Sequence, residues 1–169
     1  MVMHTAQRQT SLAQSQRAVA REPELIVPAL APFYAWVRDL SYPLMRLTVG
    51  GILLVHGIVK VMGPGLSGIA AGFARRGLEP SLPFASIVLF NETVGAICLM
   101  LGLFTRPIAA SIAIEFAIIT FVAHFHNGFA FSSPGGGWEF PLMWGLFVFA
   151  IALRGGGPYS LDRKLGKEI

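Results

Sequence analysis

The sequence predicts an all-α integral membrane protein, a four-transmembrane-helix bundle with cytoplasmic N- and C-termini. Three observations predict it. Four apolar runs each approach the roughly 20 residues that cross a bilayer as a helix. Only 13% of the 169 residues are charged, about half the share of a soluble domain, which leaves too few charges to cover a water-facing surface. The 13 Lys and Arg gather at the ends of the apolar runs, in the pattern that sets membrane orientation.

Residues 1–28 are rich in Gln, Ser, Ala and Arg without an apolar period, so a disordered cytoplasmic tail is expected there. The first long apolar run begins too late for a cleavable signal peptide. Residues 29–42 mix Phe33, Tyr34, Trp36 and Tyr42 with Arg38. They read as an interfacial anchor or a flexible linker, completing an N-terminal segment 1–42 ahead of a membrane domain over 43–165. The four runs are 43–63, 82–104, 107–126 and 138–154. They are too long for strands and lack the alternation of a membrane barrel. Helices remain, because in lipid each backbone group must be satisfied within its own segment. Thr105-Arg106-Pro107 joins the second and third runs as a tight hairpin, with Pro107 in a first turn. Pro141 sits in the first turn of the fourth run. Residues 64–81 read as a short amphipathic helix on the outer face, and 127–137 as a glycine-rich turn.

Orientation is set by the cations. Arg8, Arg17, Arg21, Arg38, Arg46, Arg106, Arg154, Arg163, Lys164 and Lys167 share one side, while Lys60, Arg75 and Arg76 share the other. Ten against three puts both termini of this multi-pass chain in the cytoplasm. The net charge of +4 reports this orientation. The cations form no aromatic-interleaved patch of the kind that binds nucleic acid. The single cysteine, Cys98, excludes an intramolecular disulfide and a CxxC redox pair, and reads as a small buried hydrophobe.

Ionisable residues inside spans are costly and mark sites by default. This chain has His56 and Lys60 in the first run, Glu92 beside Asn91 in the second, and Glu115, His124 and His126 in the third; Glu139 opens the fourth. His56 and Lys60 are four apart and share a face. At about 100° per residue, Ser111, Glu115, Val122 and His126 form one stripe, with His124 pointing the other way. His126 is therefore expected in the interior, and His124 at the headgroups or the loop. Glu92 and Glu115 lie roughly 15 Å deep and His56 roughly 10 Å, with His126 near the rim. They would line an outward-opening pocket with two carboxylates at its floor. A metal site from His56, Glu92, Glu115 and His126 would need ligands from three helices with no local ligand spacing, and no metal is assigned. The same polar residues could instead hold helices together.

Several motifs in order resemble the DoxX/DoxD family of bacterial and archaeal membrane proteins. They are His56-Gly57-x-x-Lys60, Asn91-Glu92 followed by Gly95, Leu101-Gly102-Leu103-Phe104-Thr105-Arg106, Pro134-Gly135-Gly136-Gly137-Trp138-Glu139, and Gly157-Pro158-Tyr159-Ser160-Leu161-Asp162. The resemblance covers about 43–165. It implies a four-helix membrane bundle and a link to quinone-dependent oxidoreductases, since the namesake members are subunits of a thiosulfate:quinone oxidoreductase. Other members look like membrane partners of thiol or superoxide-stress enzymes. On that resemblance, the chain is expected to be the membrane subunit of a quinone-linked oxidoreductase. The catalytic residues would be His56, Glu92, Glu115 and His126, and the quinone would be bound by His56, Lys60, Asn91 and Glu139. The alternative is a non-catalytic membrane anchor or assembly partner, docking through 64–81 and 127–137. Expected partners are the lipid bilayer, a partner subunit and further copies of the chain.

Two carboxyls that meet in low dielectric cannot easily both ionise. Infrared titration of the purified protein is therefore expected to find at least one of Glu92 and Glu115 protonated at neutral pH. A spectrum with both ionised at pH 7 would overturn the expectation that they face each other.

Overall fold

A computed structural model describes residues 24–168, so most of the tail expected over 1–28 lies outside the described residues. The regular elements among the described residues are all helical, with no strand among them. They divide between Arg38 and Asp39 into two units. In the first, a 3₁₀ turn at Pro28–Leu30 leads into α1 (Ala31–Val37). Phe33 packs edge-on against Tyr34, with ring centres 5.6 Å apart, and Trp36 is exposed.

The second unit holds α2 (Ser41–Met62), α3 (Gly65–Ala74), α4 (Ser81–Leu101), α5 (Thr105–Asn127), α6 (Glu139–Arg154) and α7 (Leu161–Leu165). Three helical runs are long and apolar enough to cross a membrane: Pro28–Met62, Ser81–Leu101 and Thr105–Asn127. The fourth apolar run forms α6, which is shorter at 16 residues and packs along α5. The runs 43–63, 82–104, 107–126 and 138–154 overlie α2, α4, α5 and α6. The glycine-rich segment after Asn127 forms turns, and 65–74 forms the short helix expected in the first long loop.

Two of the long helices are interrupted. Asn91–Gly95 in α4 and Ile119–His124 in α5 are π-helical turns. Each adds a residue to the turn and rotates the face presented by the rest of its helix.

Apolar side chains cover much of the outside. Val55, Val59, Met62, Ile114, Phe121, Leu146 and Leu153 are all exposed. Arg46, Asn91, Glu92, Thr105, Glu115, Thr120 and Asp162 are buried. An apolar exterior around a polar interior suits a lipid solvent, where burial of hydrocarbon between helices gains little and polar contacts and close packing hold the bundle. The apolar core joins Tyr42, Val49 and Leu53 of α2 to Ala96 and Leu99 of α4, Ala109 and Ile112 of α5, and Val148 and Ile151 of α6.

Glycines set the distance between α2 and α4. A Cβ on Gly57 would stand 2.2 Å from the Glu92 carbonyl oxygen, and one on Gly50 would stand 2.8 Å from that of Ala96. The two glycines are seven residues apart, so they lie on one face, as in other small-residue helix contacts. Gly51 faces open space, with no atom within 4 Å of such a Cβ. Gly57→Ala should therefore destabilise the bundle by about 1–3 kcal/mol, the cost of overpacking. Gly51→Ala, by thermal unfolding in detergent, should leave stability unchanged or slightly raised. Equal effects would refute the close approach.

Candidate functional site

The polar residues of α4 sit on its π turn. There, consecutive side chains address two different neighbours. Glu92 Oε1 accepts a hydrogen bond from the Lys60 ammonium of α2, in an ion pair. Asn91 Nδ2 donates to Glu115 Oε2 of α5 at 2.9 Å, and Ser111 Oγ donates to Asn91 Oδ1 at 3.0 Å. Three helices thus meet in one network. Asn91, Glu92 and Glu115 are buried, while the Lys60 side chain keeps 31% of its surface. Lys60 is therefore the accessible edge of the cluster. Glu92 Oε2 is buried and has no hydrogen-bond partner.

The histidines expected in this pocket lie elsewhere. His56 is exposed. Measured from Gly57, which faces α4, Lys60 falls about 60° to one side and His56 about 100° to the same side. They share a flank, but His56 is carried past the edge. His126 is exposed as well. The π turn at Ile119–His124 breaks the 100° count that placed His126 inside, so it does not share the position of Glu115. His124 turns to the loop, where its Nδ1 lies 2.9 Å from the Gly136 carbonyl oxygen, the loop placement expected for it. Val122 is exposed too, so only Ser111 and Glu115 of the expected stripe reach the network. Glu139 is exposed, and its carboxylate accepts from the Phe131 N–H at 3.2 Å. With Asn127, whose Nδ2 donates to the Gly135 and Gly136 carbonyls, it shapes the 127–137 turn. Two cavities of 500 and 600 Å³ lie between helices, and neither is lined by His56, Glu92, Glu115 or His126. Among the described residues, no three His, Cys, Asp or Glu side chains gather as metal ligands.

The other end of the bundle carries a network that the sequence did not flag as a unit. The Asp162 carboxylate accepts from the Phe104 N–H at 2.8 Å, the Thr105 N–H at 2.9 Å and the Thr105 hydroxyl at 2.7 Å. It therefore caps the N-terminus of α5, where free N–H groups and the helix dipole favour an anion. The Asp162 N–H in turn donates to the Gly102 carbonyl at 2.9 Å. Gly102 has φ +65, and a Cβ there would fall on the Arg46 guanidinium, 1.8 Å from Nη1. Arg46 Nη2 donates to the Pro158 and Tyr159 carbonyls, both at 3.2 Å. The Tyr42 hydroxyl donates to the Gly155 carbonyl at 2.5 Å, and the Arg154 guanidinium lies 4.4 Å from the Tyr42 ring centre. Arg106 donates to the carbonyls of Ala152, Leu153 and Arg154 at the end of α6.

A multi-pass helical membrane protein with charged groups paired inside its bundle is the class that fold and site define. The chain belongs to the DoxX family. That family's model matches residues 42–125, a stretch that includes Lys60, Asn91, Glu92 and Glu115 and ends before Gly157-Pro158-Tyr159-Ser160-Leu161-Asp162. A protein of Haemophilus influenzae described as an uncharacterized protein is 31% identical over 125 residues, covering 73% of this chain and 90% of that one. No solved structure matches.

Asp162→Ala would leave three donors unpaired and remove the anion from the start of α5. It should lower stability by about 2–4 kcal/mol in detergent unfolding, with Asp162→Asn intermediate. Wild-type stability in the alanine variant would refute the capping role.

Proposed function

We propose that this DoxX-family chain is the membrane subunit of a quinone-linked oxidoreductase, and that the Lys60–Glu92–Asn91–Glu115 cluster exchanges the protons of quinone turnover. Quinone reduction takes up two electrons and two protons. In this reading a partner chain supplies the electrons, and Glu92 gives or takes protons. The observation that supports it best is the buried Glu92 Oε2 without a donor, next to an oxygen already paired with Lys60. Such an acceptor is rare in a purely structural pair, and a positioned carboxyl is suited to general acid–base work. A headgroup arriving from the lipid would meet Lys60 at the edge of the cluster, with His56 on the same flank to hydrogen-bond it. Glu115 assists through Asn91. His126 and Glu139, directed away from the cluster, have no part in this reading.

The chain would sit in the bacterial cytoplasmic membrane, as its resemblance to the DoxX/DoxD proteins implies, with both termini inside, a reading supported by ten cations against three. α6 would be the fourth span. Its 16 residues rise about 24 Å, and Trp138 and Arg154 at its ends suit the two interfaces.

A second reading, a non-catalytic anchor or assembly partner, is supported by the way Lys60, Glu92, Asn91, Ser111 and Glu115 satisfy one another across three helices. Binding of a soluble quinone analogue and thermal unfolding separate the two. If the proposal holds, Glu92→Gln and His56→Ala each weaken the analogue about tenfold or more while the bundle stays folded. Unchanged affinity in both variants rejects quinone binding at this cluster. A Glu92→Gln protein that unfolds, from a wild type that binds no quinone, leaves the cluster as helix glue.

A further inference from the structure

We propose that the cavity between α2, the end of α4 and the Tyr159–Lys164 segment binds the phosphate headgroup of an anionic phospholipid. The cavity has a volume of 600 Å³. Arg46, Arg163 and Lys164 are among its lining residues. Arg163 and Lys164 are exposed, whereas Arg46 is 1% exposed. Two of the three Arg46 nitrogens, Nε and Nη1, have no hydrogen-bond partner. Both atoms are closed to solvent, so what the buried guanidinium gains from an anion in the cavity is compensation of its charge.

Protein groups do not fill that role. Asp162 spends both oxygens on the neutral donors of Phe104 and Thr105, and the charge it keeps offsets one of the three cations. Glu168 is engaged by the Gly156 N–H at 2.5 Å and lies 3.6 Å from Arg106. The cavity therefore has a surplus of positive charge.

Its other wall is apolar. Pro43 and Leu47 of α2 and Met100 and Leu101 of α4 complete the lining, and Leu47 and Leu101 are also half exposed on the outer surface. A free phosphate has no use for that wall. A phospholipid presents a phosphate and two acyl chains at once, and basic pockets between membrane helices take such headgroups. The Arg46 end of α2 is also where a cluster of cations marks the membrane interface.

The test uses the full chain, delipidated in a neutral detergent and given back dioleoylphosphatidylglycerol, dioleoylphosphatidylcholine or inorganic phosphate. Phosphatidylglycerol should remain bound in native mass spectrometry and raise the unfolding temperature, while the other two should do neither. The double variant Arg163→Ala/Lys164→Ala removes two exposed cations that make no fold-holding side-chain contact. It should bind phosphatidylglycerol about thirtyfold more weakly, the weight of two interfacial charges, with an unchanged unfolding temperature in lipid-free detergent. Equal stabilisation by phosphatidylcholine would reject the headgroup charge as the determinant. Inorganic phosphate reproducing the shift would reject a lipid as the source. Unaltered affinity in the double variant would reject this cavity as the place.

Discussion

The approach of Gly57 to the backbone of Glu92 is the constraint on which the rest of the bundle depends. Lipid offers no hydrophobic force to press helices together, so contact has to come from backbones that fit and polar groups that pair. Gly57 brings α2 against the π turn of α4. Three residues on, Lys60 then lies at the flank of the contact, where it meets Glu92. The π turn completes the arrangement. It sends Glu92 toward α2 and Asn91 toward α5, so one widened turn serves two interfaces. The spacing of His56-Gly57-x-x-Lys60 thus has a physical reading: glycine for the approach, and lysine for the charge that the approach buries.

Much of this was legible in the sequence. Apolar runs gave the helices, because a bilayer demands length and hydrocarbon and little else. The cost of an intramembrane charge singled out Lys60, Glu92 and Glu115, and all three belong to the observed network. The histidines were misplaced for reasons that a helical wheel cannot contain. A wheel assumes a uniform 100° step, and α5 abandons it at Ile119–His124. A wheel also treats residues four apart as equivalent, although 40° separates Lys60 at the edge of the contact from His56 beyond it.

The Arg46 end was illegible for a different reason. Its partners are distant in sequence: Tyr42 with Gly155, Arg46 with Pro158 and Tyr159, Asp162 with Phe104 and Thr105. All of these join a side chain to backbone, apart from the added bond between the Thr105 hydroxyl and Asp162, and no charge-pair pattern announces them. The motifs Leu101-Gly102-Leu103-Phe104-Thr105-Arg106 and Gly157-Pro158-Tyr159-Ser160-Leu161-Asp162 stand far apart along the chain. In space they form one closure, which ties the turn between α4 and α5 to the segment after α6. Gly102 sits at its centre because Arg46 occupies the room a side chain would need. Phe104, at φ +47, holds a conformation that costs a non-glycine residue of order 1 kcal/mol, and its N–H is fixed by Asp162.

The carboxylates at the two ends, Asp162 and Glu92, therefore differ in how completely their oxygens are used. Asp162 has both oxygens engaged, as a structural carboxylate should. Glu92 engages one oxygen and leaves the other buried without a donor. A pair selected only to hold helices together gains by satisfying both, since an unpaired buried acceptor costs about 1–3 kcal/mol. The fold holds the means to do so, because Asn91 and Ser111 supply such donors one residue and one helix away, yet Asn91 serves Glu115 and Ser111 serves Asn91. Keeping an unused acceptor in the middle of a satisfied network works against stability, so Glu92 is the least satisfied group of its cluster.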